Sequence, residues 1–330
     1  MHAPAAPAAP RVVGVEMSAL RDGARSASSF LEFVLAALAA DGAATAAPWA
    51  IGGRRSSVPQ GARGDRRARA WLVRALGVLG VTASSRMVAP RCDLLHLASG
   101  PLALRLEPPV VVTVHGVDET LRRPATRAAH RRAEGLRQAA RHGAVIHAVT
   151  DQVAEHLVEA LGLPASSIIV AHPGIGVVVA GAHDRAGGVL AVDIVPGGEP
   201  RLAGAVAAAL RAAGGVEPRL VDPRHAAGGD CVVVVAPDDG FPVVALEAMA
   251  AGRPVVTSRN ATTTSLLSGA ARFVEEVSPE AFARSAIVVG SMGEERTICV
   301  TAGLARAGDF AVHRRSGDLM ALYARARAAT

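Results

Sequence analysis

The 330 residues predict an α/β chain of two doubly wound domains, each a parallel sheet covered by helices. Three observations carry that expectation. Short β-branched runs alternate with Ala/Leu/Arg-rich helical stretches along the whole chain. Runs such as Val110–Val114 and Cys231–Ala236 are apolar without alternation, as strands buried on both faces are. A break rich in Gly near residues 173–188 divides the alternation into two halves of ordinary domain size, which fits two open sheets better than one closed eight-fold barrel.

In the first half, Arg11–Val15 reads as a strand and Ser28–Ala40 as a helix with Phe30, Leu31, Val34, Leu35 and Leu38 on one stripe. Gly42 is placed to end that helix. Gly52–Arg69 reads as an exposed loop and Ala70–Leu79 as a helix. Asp93–Leu97 and Val110–His115 follow as strands, then a long arginine-rich helix over Pro124–His142. Ala144–Val149, Gln152–Leu161 and Ser167–Ala171 continue as strand, helix and strand. The second half gives strands at Gly188–Ile194, Cys231–Ala236 and Pro254–Ser258. Its helices are Arg201–Ala213, Val243–Ala251, Pro279–Val288 and Ser316–Ala328, with Gly252 just past the second of these.

Composition narrows the chemistry. The chain has no lysine, so all 35 basic residues are arginine, which excludes Schiff-base and P-loop lysine chemistry. Three well-separated cysteines (Cys92, Cys231, Cys299) make neither a disulfide framework nor a cysteine-based zinc site. Residues 1–175 hold 20 Arg against 13 acidic residues, a net of +7, and residues 176–330 hold 15 against 16. A basic first half suits solvated helix faces, a phosphorylated substrate or an anionic membrane surface. Nucleic acid is disfavoured, because one Tyr, two Trp and six Phe supply few stacking platforms. The N-terminal stretch lacks a secretory pattern and no apolar run spans a bilayer, so a cytosolic protein is expected.

Ligands of open α/β sheets bind outside the carboxyl ends of the strands. The most informative such place is Val232–Val256: a buried strand, an acidic turn, a helix and the next strand. The unpaired amides and dipole at the start of the Val243–Ala251 helix form an anion site. Glu247 lies one turn further in. Facing solvent it is an ordinary polar residue; facing the crevice its carboxylate accepts two ribose hydroxyls. Asp239, in the turn, is placed to accept sugar hydroxyls beside the phosphates.

The block from Asp239-Gly-Phe-Pro-Val-Val-Ala-Leu-Glu-Ala-Met-Ala-Ala-Gly-Arg-Pro to Val256 resembles the donor-site signature of retaining GT-B glycosyltransferases, in particular glycosyltransferase family 4. Val110–Pro124, Ala148–Gly174 and Ala302–Tyr323 resemble further segments of that family in the same order. The resemblance implies two Rossmann-like domains facing a central cleft: an acceptor-side domain at 1–173, a nucleotide-sugar domain at 174–310, and a C-terminal helix at 311–330 that returns to the first domain. It implies a metal-independent, cofactor-free hexosyltransferase with a nucleotide-diphosphate sugar as donor and a sugar, lipid or small molecule as acceptor. By the same resemblance Glu247 would bind the ribose. Asp239 with the amides of Gly240, Phe241 and Val243 would hold sugar and phosphates, Arg201 would meet the diphosphate, and His115 would sit by the transferred sugar. GDP-mannose and UDP-glucose are the donors considered, with mannose preferred, and peripheral contact with the inner face of a membrane suits the basic first half.

The match departs from the family where charge matters. Asp239 replaces a glutamate, Asp238 a serine and Leu202 a lysine, and Arg25-Ser-Ala-Ser-Ser29 replaces a glycine-rich turn. Arg253 and Arg224 are the arginines considered as substitutes for the lysine. The distance from the second domain's first strand to Asp239 is short, which suggests a strand–helix unit trimmed between Gly214 and Gly229. A degenerate, non-catalytic protein of the same fold, binding a nucleotide-sugar or a partner, is the alternative reading. Another nucleotide-using α/β enzyme is a third, although no G-x-G-x-x-G follows the first strand.

Overall fold

A computed structural model of the chain describes residues 11–17, 25–42, 44–49, 91–98, 109–176, 189–197, 199–222, 229–235 and 240–329. The chain divides into two compact units. Unit 1 is Met1–Gly174 with Val312–Thr330, and unit 2 is Ile175–Ala311.

Unit 1 contains, among the described residues, strands β1 (Val12–Glu16), β2 (Thr45–Trp49), β3 (Leu94–Leu97), β4 (Val110–Val114), β5 (Val145–Ala148) and β6 (Ile168–Val170). All pair in parallel, in the order β2-β1-β3-β4-β5-β6. Its helices are α1 (Arg25–Asp41), α2 (Glu119–Arg122), α3 (Arg127–Arg141) and α4 (Asp151–Leu161), joined by the last helix of the chain, Val312–Ala328. The helix expected from Pro124 begins later. Pro124 disfavours helical geometry at Arg123, and the Thr126 hydroxyl accepts the Ala129 N–H to start α3 afresh. Thr150 caps α4 in the same way, and Gly162, at φ 63°, ends it in the left-handed conformation.

The terminal helix buries Leu319, Leu322, Tyr323 and Ala326, spaced as one helical stripe, in the same core as Phe30, Leu31, Val34 and Leu38 of α1. The expected return of the C-terminal helix to the first domain is therefore observed. Ala70–Leu79 and the loop at 52–69 lie outside the described residues.

Unit 2 contains β7 (Leu190–Val195), β8 (Val216–Leu220), β9 (Cys231–Val234), β10 (Val255–Ser258) and β11 (Arg272–Val274), parallel in the order β11-β10-β9-β7-β8. Its helices are α5 (Pro200–Ala213), α6 (Val243–Ala250), α7 (Ala261–Leu267), α8 (Pro279–Gly290) and α9 (Glu294–Asp309), so the Val312–Ala328 helix is α10. Ala203, Val206, Ala207 and Leu210 of α5 and Phe282, Ala283, Ala286 and Val289 of α8 share one core with β7, β9, β10 and β11.

In the stretch where a strand–helix unit was expected to be trimmed, between Gly214 and Gly229, residues 223–228 lie outside the described residues. The strand is present as β8, at the sheet edge, while ten residues (221–230) return from it to β9 on the far side of β7. Asp193 of β7, fully buried, accepts the Gly229 amide at 2.6 Å and the Arg219 Nε–H at 2.8 Å. A buried carboxylate satisfied by a charge and an amide is tolerable, whereas an unpaired one is not.

A Cβ on Gly229 would stand 2.9 Å from the Asp193 carboxyl carbon and 3.1 Å from the Ala191 carbonyl. Gly229→Ala is expected to destabilise unit 2 by about 1–3 kcal/mol, read as a lower urea midpoint.

Candidate functional site

Strand order reverses at β7 in unit 2: the chain steps to β8 on one side, then to β9 on the other. Right-handed crossovers put the helices that follow on opposite faces, so a crevice opens at the carboxyl ends of β7 and β9. Two segments about forty residues apart meet there. One runs from β7 into α5 and carries Arg201, exposed in the first turn after Pro200. The other runs from β9 to α6 and carries Gly240, Phe241 and Val243.

Phe241 is buried, with its ring edge-on to Phe310 at 5.4 Å. This anchors the turn from below and leaves backbone at the mouth. The Val243 N–H is engaged with the Phe241 carbonyl at 2.8 Å, and the first i→i−4 bond of α6 is Leu246 N–H to the Pro242 carbonyl. The amides of Val244 and Ala245 precede that bond; the family resemblance points to those of Gly240, Phe241 and Val243. Val243, Ala245, Leu246, Ala248 and Met249 are buried, while Val244, Glu247 and Ala250 form a half-buried stripe along α6. Glu247 is neither sealed in the core nor turned fully to water, and it lies one turn from the helix start. Asp239 and Asp238 lie outside the described residues, as does Arg224.

One arginine expectation changes. Arg253 sits in the turn before β10, at the amino ends of the strands and away from the helix start. It is buried, and that desolvation lowers its pKa, partly opposed by Asp193 and Asp230. It therefore cannot take the place of the missing lysine. Leu202, at the lysine's own position, packs against the hydrophobic core of unit 2. Arg259, beyond β10, is bound by Glu275, with Nη2 at 2.6 Å from the carboxylate, and lies over the Phe273 ring. Among the described residues considered, Arg201 is the arginine exposed at the start of α5.

In unit 1 the order reverses between β1 and β3, and His115 follows β4 at the carboxyl edge of this sheet. Its Nε2 donates to the Ala98 carbonyl at 2.8 Å, and the Phe30 ring lies edge-on at 5.2 Å. Burial, opposed by the Ala98 carbonyl and aided by Arg132, pushes its pKa down to about 4. A neutral ring with Nε2–H committed offers only the Nδ1 lone pair, an acceptor for a hydroxyl proton. Among the described residues no three His, Cys, Asp or Glu side chains gather as metal ligands.

His147, fully enclosed in the same unit, is also pushed down to about 4 by burial. Both rings are favoured neutral in the fold and ionise near 6.5 when unfolded. Their stabilising contribution is whole above pH 6.5 and is lost as the pH falls through 4. Urea midpoints measured from pH 8 to 4 should be level above about 7 and fall below 6.5; a level profile down to pH 4.5 contradicts this.

Comparison with known proteins agrees with this geometry. Residues 27–177 match the family model for Glycosyltransferase Family 4, and residues 194–290 match that for Glycosyl transferases group 1. Among solved structures, sucrose-phosphate synthase from Thermosynechococcus elongatus superposes with a TM-score of 0.63 at 13% identity, over 97% of this chain and all of that one. HepE of Anabaena, in complex with UDP and glucose, gives 0.59 at 12% identity over 94% and 98%. A glycosyltransferase of Rickettsia africae gives 0.56 at 10% over 96% and 98%. No curated protein sequence matches the chain. Each half thus matches a glycosyltransferase domain model, Family 4 in the first and group 1 in the second, and the two parallel-sheet domains have the GT-B fold.

Proposed function

We propose that the protein is a retaining glycosyltransferase that binds a nucleotide-diphosphate sugar at the carboxyl edge of unit 2 and passes its hexose to an acceptor held by unit 1. The observation that carries this is the start of α6 at the strand-order reversal, with half-buried Glu247 one turn in and exposed Arg201 at the start of α5 after β7. HepE of Anabaena, a neighbour in fold, is described bound to UDP and to UDP-glucose, which supports a donor of that class.

In this reading the Val244 and Ala245 amides and Arg201 offset the diphosphate charge without a metal. Glu247 accepts the ribose hydroxyls. Asp239, with Gly240 and Phe241, holds the sugar. Neutral His115 accepts a sugar hydroxyl through Nδ1 and takes no proton, since its pKa near 4 makes it a weak base at neutral pH. The departing phosphate helps to deprotonate the acceptor as it attacks from the same face, so configuration is retained. Mannose and glucose are the first sugars to test.

A thermal-shift screen of GDP-, UDP- and ADP-sugars should raise Tm with one nucleotide, because a ligand of the folded state alone stabilises it by about 2.7 kcal/mol at 100 Kd. Arg201→Ala should weaken that ligand by about 10- to 100-fold through loss of a charge-assisted bond. Absence of both binding and transfer across the panel rejects the enzyme. Leu202 favours a second reading, a nucleotide-sugar binder without turnover, in which Glu247→Gln abolishes binding yet no wild-type transfer is ever detected.

The reading extends to a cytoplasmic protein whose acceptor lies at an anionic membrane surface. Arg127, Arg131 and Arg141 are exposed on α3, where Glu134 partly offsets Arg141, and no described helix is long and apolar enough to cross a membrane. Sedimentation with acidic-lipid vesicles should fall steeply with added salt; equal binding to neutral vesicles contradicts this part.

A further inference from the structure

Beneath α1 and α10, the sheet of unit 1 places three polar side chains on one buried face: His96 on β3, Thr113 on β4 and His147 on β5. A bridge of hydrogen bonds runs through them. Tyr323 Oη on α10 lies 2.7 Å from His96 Nδ1, His96 Nε2 lies 2.7 Å from Thr113 Oγ1, and Thr113 Oγ1 lies 3.0 Å from His147 Nδ1. His147 Nε2 then lies 2.8 Å from the Ala171 carbonyl.

The direction of this chain follows from its last link. A carbonyl only accepts, so His147 must donate from Nε2. If the ring is neutral, its Nδ1 accepts, so the Thr113 hydroxyl donates to it. That hydroxyl has one proton, so it accepts from His96, whose Nε2 must carry hydrogen. His96 Nδ1 is then an acceptor, and the Tyr323 phenol donates to it. With both rings neutral no other arrangement satisfies every atom. Burial lowers both imidazole pKa values and raises that of the Tyr323 phenol, in keeping with an uncharged chain.

Phe30 of α1 stands among these rings. Its ring lies 5.5 Å from His96, edge-on, 5.5 Å from His147 and 5.2 Å from His115, again edge-on. The aromatic rings of Tyr323, His96, Phe30 and His115 therefore touch in succession, from the terminal helix to the carboxyl edge of the sheet.

We propose that this one-way chain, from Tyr323 to the Ala171 carbonyl, seats α10 on unit 1 and makes Tyr323 a positioning residue for His115, acting through His96 and Phe30. The importance of His115 rests on the function proposed above; the direction of the chain does not.

The test is long-range nitrogen–proton NMR of histidine rings in the full-length chain, which needs no donor and so fails or succeeds apart from nucleotide-sugar binding. His96 and His147 should both be neutral Nε2–H tautomers at pH 7, and Phe30 ring protons should show cross-relaxation to both His96 and His115. Because the chain has one tyrosine, phenolate absorbance follows Tyr323 alone, and it should resist ionisation well above pH 10 while the protein stays folded. Tyr323→Phe and Thr113→Val should shift the His115 ring signals, and Thr113→Ser, which keeps the hydroxyl, should leave them in place. An Nδ1–H tautomer or a charged ring at either core histidine overturns the chain, even if no variant folds. Missing Phe30–His115 cross-relaxation, or unshifted His115 signals in both disruptive variants, overturns the positioning role.

Discussion

Parallel strands that reverse their order of addition leave a crevice at their carboxyl ends, and the chemistry of both units hangs on that constraint. In unit 2 the reversal at β7 gathers the loop into α5 and the loop into α6 at one edge, although they are far apart in sequence. The same reversal places the start of α6 at that edge, where the dipole and first amides of a helix favour an anion. Packing then selects which parts remain available. Phe241 packs onto Phe310, and most of α6 is enclosed, so along α6 the half-buried stripe of Val244, Glu247 and Ala250 is what remains accessible.

Both sheets bury polar groups, by opposite means. Unit 2 keeps a charge, Asp193, and satisfies it with Arg219 and the Gly229 amide. Unit 1, which buries Glu16 in β1, also has a polar network without charge. Its two core histidines and a threonine are linked so that each donor meets one acceptor, and burial holds the imidazoles neutral. The first solution depends on a close glycine, the second on proton placement. Each bond in such a network adds only about 1 kcal/mol net, but leaving one partner unsatisfied costs more, which is why the networks specify a unique arrangement.

The elements legible in advance were those with strong hydrophobic pattern. Val110–Val114 and Cys231–Val234 are continuous buried strands, and the stripe of α1 is where the periodicity put it. The strands missed were edges. Thr45–Trp49 and Val216–Leu220 each contain a proline, Pro48 and Pro218, which only an edge strand tolerates, and Arg272–Val274 has three residues. Local pattern carries little signal for a strand paired on one side, because the neighbouring strand supplies most of its stabilisation.

By itself the sequence determined the alternation of strand and helix, the division into two sheets, and the stretch from Gly240 to Val256 that begins a helix at a strand's end, because those depend on local periodicity and turn chemistry. Tertiary structure alone decided which groups that stretch exposes, that Arg253 faces the wrong end of the sheet, that Leu202 is spent on packing, and that the single tyrosine meets a histidine 227 positions away. These are contacts between residues remote in the chain, and a side chain's direction and protonation follow from what surrounds it rather than from its neighbours in sequence.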